Sequence, residues 1–386
     1  MILLAIAAVA FGLLTLAWIV YPAAMWLRGG GRRGLTASTA EPEPNERVTI
    51  IVATRDDPGF ALERVRNLHA TSYPASLLHI VIAVDVTSLH QLEAYRAALS
   101  GLADVVAGDA PGGKAATLNA AVRAAAGADV LVFADVGQQF NAEAIPRLVA
   151  ALRDGRLGAV TGRYTHARSD GLMSAYADLE ATIRAGQAAG RSVVSASGSI
   201  LAIRPALWRE LPVGLICDDL FTGLSVVRQG ARVGFCPQAI AYDPRVFSRD
   251  QQFTRRVRTL TGLIQYGLVQ PGALAPWSNP VWVHFVLHKV LRLLTPILLA
   301  IGVAALGAGL IPRAPRESLV VAVALAIVAL GVWMVAPARF RRARDQVLWA
   351  FRLLLVPVVA ISNGLRGRWA VWTPTSQARA DLRTGA

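Results

Sequence analysis

Apolar residues are spread unevenly along this chain, and that unevenness limits what it can fold into. Of its 386 residues 54% are hydrophobic, more than a soluble enzyme of this size usually carries. The excess lies in residues 1–25 and beyond Pro276, leaving a middle of ordinary globular composition. Met1 to Tyr21 is almost unbroken Ile, Leu, Ala, Val and Phe, about the ~20 residues that cross ~30 Å of hydrocarbon. A cleaved signal peptide places its basic residues first, whereas here Arg28, Arg32 and Arg33 follow the apolar run. That order predicts an uncleaved N-terminal transmembrane anchor over 1–25, with the N-terminus outside and the following chain inside.

Residues 26–46 read as a basic and then Pro/Glu-rich linker ending in Ala40-Glu-Pro-Glu-Pro-Asn45. Beyond the middle, 276–294 reads as an interfacial helix, because Val281–Leu294 carries His284, His288, Lys289 and Arg292 at helical spacing. Thr295–Ile311 and Leu319–Ala336 predict two transmembrane helices within 295–338. Val347–Leu365, interrupted by Arg352, Pro357, Ser362 and Asn363, predicts a transmembrane or re-entrant helix over 346–365. The arginines of the tail 366–386 favour the inner side, as do those around Arg339–Arg344. The expected location is therefore the inner (plasma) membrane, multi-pass, with the middle domain cytoplasmic.

Formal charge is +14, from 39 Lys and Arg against 25 Asp and Glu. Such a balance calls for an anionic partner, membrane lipids or a phosphate-bearing ligand. Nucleic acid is not expected, since no helix-turn-helix, zinc-finger or RNP pattern accompanies the charge. Cys217 and Cys236 are the two cysteines, too few for a disulfide scaffold or a zinc site, and read as reduced thiols.

Over 47–275 the pattern becomes short apolar strands alternating with helices. Val48–Thr54, Leu78–Val84, Asp104–Ala107 and Val130–Ala134 read as strands. Phe60–Ala70, Gln91–Ser100 and Ala115–Ala126 read as helices between them. This is an α/β pattern with a mostly parallel sheet, whose ligands sit outside the carboxyl ends of the strands. The polar residues just after each strand are then the candidates: Thr54-Arg-Asp56-Asp57, Asp85, Gly112-Gly113-Lys114 with Asn119, and Asp135. Singly, an Asp in such a place is more often a helix cap or turn residue than a ligand. A Lys opening a helix opposes the helix dipole unless an anion is present. Four stations on one sheet edge together describe a nucleotide pocket. Asp218-Asp219 opens a helix over Phe221–Gln229 and is either a cap with a favourable dipole partner or a general base beside the carboxylate that orients it. Arg255-Arg256-Val-Arg258 is either a solvated basic face or the positive charge that meets a departing phosphate.

The order of these motifs resembles the membrane-anchored family 2 glycosyltransferases with a GT-A catalytic domain, including polysaccharide synthases, over roughly residues 47–270. Gly113-Lys114-Ala-Ala-Thr-Leu118-Asn119 carries the most specific match to the family's Gly-Lys-x-x-x-Leu-Asn. Ala53-Thr54-Arg55-Asp56-Asp57 stands at the end of the first strand and Asp85 at the end of the second. Asp218-Asp219 matches the family's catalytic acidic pair, and Arg255-Arg256-Val257-Arg258-Thr259 its Gln/Arg-x-x-Arg-Trp motif. Two departures stand out: Asp135-Val136-Gly137 replaces the metal-binding Asp-x-Asp, and Thr259 replaces the Trp. The resemblance implies a GT-A (Rossmann-like) domain flanked by transmembrane and interfacial helices. It implies inverting transfer of a sugar, a hexosyl group, from a nucleotide-sugar donor, a UDP-sugar, to a saccharide or lipid acceptor, in exopolysaccharide or glycolipid synthesis. Asp219 would be the base, with Asp218, Arg255 and Arg258 as further catalytic residues. Thr54, Asp57, Asp85, Lys114, Asn119 and Asp135 would bind the nucleotide sugar. Gly198 and Ser199, in the small-residue segment Ser195–Arg204, would line the acceptor site, and Asp135 would hold Mg2+ or Mn2+. Synthase subunits are the implied protein partners. Two alternatives share the motifs: a polyprenyl-phosphate glycosyltransferase, and a catalytically degenerate nucleotide-sugar-binding partner subunit, for which Gly137 is the reason.

Overall fold

The computed structural model describes residues 1–30, 44–166, 171–313 and 341–369, with isolated positions between. Most of the linker, the span expected over Leu319–Ala336 and most of the tail lie outside the described residues. Three largely buried runs rich in Val, Ile and Ala form β1 (Val48–Thr54), β2 (Leu78–Val84) and β4 (Val130–Ala134), and the more exposed β3 (Asp104–Ala107) lies at the sheet edge. The short β5 (Gln139–Phe140) follows, then β6 (Leu157–His166), β7 (Ile200–Ile203) and β8 (Arg232–Asp243). They make one eight-stranded sheet in the order β3-β2-β1-β4-β7-β6-β8-β5.

The first four strands are parallel. β7 then runs antiparallel to both β4 and β6, and β5 antiparallel to β8, so the sheet is mixed where the sequence pattern suggested a mostly parallel one. Side-chain alternation along β1 sends Ile50 and Val52 to one face and Ile51 and Ala53 to the other, each into its own core. Helices Pro58–His69 and Ala144–Leu152 cover the first face, and Lys114–Ala124 and Asp218–Arg228 the second. Burying both faces suits continuous apolar strands, and leaves the polar residues at the carboxyl ends of β1, β2 and β4 on one rim.

The N-terminal helix runs from Ile2 to Gly30, longer than the predicted anchor, and is apolar and long enough to cross a membrane. Arg344–Leu365 also qualifies, and Trp282–Leu293 with Thr295–Leu310, bent by 66°, makes up to a third span among the described residues. The polar residues of the segment expected at the interface turn inward. His288 and Arg292 both reach Glu180 of the helix Gly171–Gly190, at 3.1 and 2.7 Å, and His284 meets Tyr21 of the anchor. The anchor packs on the same helix so closely that a Cβ at Gly186 would overlap the Met25 backbone.

Candidate active site

Lys114 is the centre of the site. It is the first residue of its helix, entered through Gly112 and Gly113 at φ +93° and +90°, a conformation glycine adopts without strain. Asp85, at the end of β2, fixes that turn. One of its carboxylate oxygens accepts from Gly113 N–H at 2.6 Å and Thr117 Oγ1 at 3.1 Å. The other accepts from Thr87 N–H at 3.0 Å and Thr87 Oγ1 at 2.5 Å. Burial alone would raise the carboxyl, but the hydrogen bonds from Thr87, Gly113 and Thr117 outweigh it and hold Asp85 below the usual carboxylate range.

So placed, Lys114 Nζ lies 3.0 Å from Asp135 Oδ1 and 3.2 Å from Asp218 Oδ2. Asp135 ends β4, and Asp218 with Asp219 forms the first turn of the helix Asp218–Arg228, which reads on from them rather than starting after them. One ammonium thus joins the rim of the sheet to the acidic pair across it. Burial works against its charge, but the two carboxylates keep Lys114 well above the ordinary lysine range. Burial likewise opposes ionisation of Asp135, yet Lys114 and the Ser199 hydroxyl hold its carboxyl far down. Asp218 goes the other way: burial raises it, Lys114 offsets this only in part, and the nearby Asp219 and Asp135 add repulsion.

The remaining expected residues divide. Gly198 lies against the cluster, where a Cβ would come within 3.6 Å of Asp219, Asp218 and Lys114. Ser199, expected on the acceptor side, donates to Asp135 Oδ2 at 2.9 Å. Arg258 makes no hydrogen bond or ion pair among the described residues, and its charge bears on both Asp135 and Lys114. Arg255 stacks on Phe247, 4.0 Å from the ring centroid, and lies 3.7 Å from Asp243. Thr54 accepts from Asp56 N–H at 3.1 Å and shapes the turn after β1.

Two further candidates make structural bonds. Asp57 is exposed and caps the helix Pro58–His69 through Gly59 N–H at 2.8 Å. Asn119 is buried and pairs with the backbone of Leu211 in both directions at 2.9 Å, stitching its helix to the loop before Asp218.

Sequence reasoning missed Asp243, the last residue of β8. It is fully buried, and Arg245 grips it bidentately through Nε and Nη2, each at 2.7 Å. Tyr164 donates to it at 2.8 Å and Gln138 at 3.2 Å. The only trace in the sequence is Asp243-Pro-Arg245 closing an apolar strand, which reads as an ordinary turn.

The described residues do not assemble a protein-held divalent-cation site. Both oxygens of Asp135 are engaged, position 137 has no side chain, and no group of three His, Cys, Asp or Glu side chains converges among them. Cys217 and Cys236 are buried free thiols.

A family profile described as "Glycosyltransferase like family 2" matches residues 44–262, more than half of the chain. In structure the chain is similar to a mannosyltransferase from Pyrobaculum calidifontis, solved in complex with GDP-Man and Mn2+. The two share 19% identity at a TM-score of 0.67, over 94% of this chain and 99% of that one. Residues 1–349 of TarS from S. aureus match at 13% identity and a TM-score of 0.40, over 88% of this chain and 92% of that one. No curated protein matches the chain in sequence. The mannosyltransferase likeness shows a shared GT-A-like α/β architecture with a mixed sheet.

Proposed function

This chain belongs to the family 2-like glycosyltransferases, and from that premise we propose that it transfers a sugar, with inversion, from a nucleoside diphosphate sugar to a hydroxyl-bearing acceptor at a membrane surface. The observation that carries the reading is the bridge of Lys114 between Asp135 and Asp218, with Asp219 as the next residue. It sets cationic and anionic groups side by side, as a reaction that releases a diphosphate and consumes a hydroxyl proton requires.

In the proposed step the acceptor oxygen attacks the anomeric carbon as Asp219 takes its proton. The bond from that carbon to the β-phosphate oxygen breaks, and the nucleoside diphosphate leaves with the electron pair. Lys114 and Arg258 face the growing negative charge, and Gly198 leaves room for the acceptor ring beside Asp219. Asp218, paired to Lys114, orients the ammonium. Asp219→Asn keeps the shape and removes the base. It should abolish transfer while sparing nucleoside diphosphate binding, and retained turnover refutes the assignment. The anomeric configuration of the product, read by NMR, tests inversion.

UDP-sugars are the first donors to assay. The GDP-Man bound by the Pyrobaculum calidifontis mannosyltransferase makes GDP-sugars the second. Thr259 stands where polymer synthases carry an aromatic platform, and this favours single transfer to a lipid hydroxyl; a polyprenyl phosphate, the alternative acceptor, would attack through an ionised phosphate oxygen and would not need Asp219 as base. Product length after incubation with donor separates that reading from chain synthesis. The anchor helix and the Arg-flanked C-terminal helix support a catalytic domain held on the cytoplasmic face of the plasma membrane.

A further inference from the structure

The family's Asp-x-Asp is Asp135-Val136-Gly137 here, and the structure shows what stands in the vacated space. A Cβ built on Gly137 would lie 2.6 Å from Arg245 Nη1, 2.7 Å from Cζ and 2.9 Å from Nη2. The guanidinium therefore packs directly on the residue that would otherwise carry the second carboxylate. No side chain fits at 137 while Arg245 keeps this position.

Arg245 is held there rigidly. It is 7% exposed, Nε and Nη2 are committed to the fully buried Asp243, and its guanidinium stacks on Phe247 at 5.0 Å. Nη1, the atom nearest Gly137, makes no hydrogen bond among the described residues. A fixed guanidinium edge against Gly137, close enough for its charge to bear on Asp135, the carboxylate that Lys114 bridges, is a ready receptor for phosphate oxygens. The same edge, a full positive charge where a cation's second ligand would stand, opposes a divalent ion.

Building on the nucleotide-sugar reading above, we propose that Arg245, seated against Gly137, contacts the donor diphosphate together with Lys114, so that donor binding proceeds without a divalent cation. The loss of the second carboxylate and the presence of Arg245 are then one exchange: a metal ligand is given up and a fixed organic cation takes the charge-neutralising role.

The test measures binding of UDP and GDP, and of uridine and guanosine, to the full chain in detergent by titration calorimetry, in EDTA and in Mn2+. The expected result is diphosphate binding in EDTA that Mn2+ strengthens by less than about tenfold. Arg245→Gln should weaken UDP or GDP binding in EDTA by roughly ten- to a hundredfold, the range for one charge-assisted contact, while nucleoside binding stays as in the parent. Because that variant leaves Asp243 without its bidentate partner, Asp243→Asn/Arg245→Gln serves as a second variant in which no buried charge is orphaned, with the same expected loss. Gly137→Ala, which must push the guanidinium aside, should lose diphosphate affinity in the same direction. Diphosphate binding that is absent in EDTA and restored by Mn2+ overturns the proposal and leaves the glycosyltransferase reading intact. So does unchanged affinity in both Arg245 variants. Binding of neither diphosphate under either condition overturns the proposal and the nucleotide-sugar reading together.

Discussion

Removing the ammonium of Lys114 should destabilise the protein in a manner that depends on pH. In Lys114→Met the aliphatic stem is kept and the charge is lost, so Asp135 and Asp218 lose the ammonium they share while Asp219 still repels Asp218. Removing one partner of a buried pair costs about 3–5 kcal/mol. The side chains of Lys114, Asp218 and Asp135 are 21%, 14% and 33% exposed, so solvent screens part of this, and about 2–3 kcal/mol is expected near neutral pH. In the parent, Asp135 titrates below its unfolded value. Its contribution is present above the unfolded carboxyl pKa of about 3.9 and lost as pH falls through the lower folded value. In the variant burial and like charge raise both carboxyls. Their folded pKa then lies above the unfolded one, and stability falls as pH rises through that window. The difference between parent and variant should therefore be largest at neutral pH and shrink toward pH 4. Thermal unfolding of both proteins in detergent across that range measures it. Lys114→Met/Asp218→Asn should recover part of the loss, because the two sites are coupled. A deficit that does not change with pH, or no deficit at all, refutes the assignment of Lys114 as the charge that holds the cluster together.

Asp85→Asn offers one acceptor oxygen to four donors. It should cost about 1–3 kcal/mol of thermal stability, with the gap to the parent closing below about pH 4, where the parent's own carboxylate protonates. The same variant should weaken nucleoside diphosphate binding, since Gly113 and the start of the Lys114 helix lose their clasp; unaltered binding would show that the turn holds itself. Asn119→Ala strands the buried Leu211 N–H and C=O, and should lower the melting temperature by an amount matching about 2–4 kcal/mol while leaving diphosphate affinity near the parent's. A selective loss of affinity would return Asn119 to the donor site. Gly186→Ala drives a methyl into the Met25 backbone and should cost about 1–3 kcal/mol by overpacking, seen as earlier unfolding in detergent.

The first half of the fold was legible because β1, β2 and β4 are short, largely apolar runs followed by polar residues, and burial on both faces leaves little other use for them. The second half was not. Ile200-Leu-Ala-Ile203 reads as a buried strand but carries no mark of direction, and its antiparallel insertion between β4 and β6 follows from the route of the chain. The site shows the same division. Lys114 and Asp135 could be placed on one rim from their positions at a helix start and after a strand, while Asp218 could be placed only at the start of a later helix. Which donor meets which acceptor could not, so Ser199 turned out to bond Asp135 and Asn119 to serve Leu211. The Asp243–Arg245 pair is the instructive case. A glycine at 137 says that space exists, and nothing local says what fills it, because Arg245 lies more than a hundred residues on. The fork geometry that ties its guanidinium to Asp243 exists only once β8 has been laid into the sheet. The atypical motif was visible in the sequence as a loss, and its physical content is an exchange of a carboxylate for a guanidinium. The reading of Gly137 as a sign of degeneration therefore does not follow from the missing carboxylate alone, since a buried guanidinium from the other end of the domain packs on that glycine.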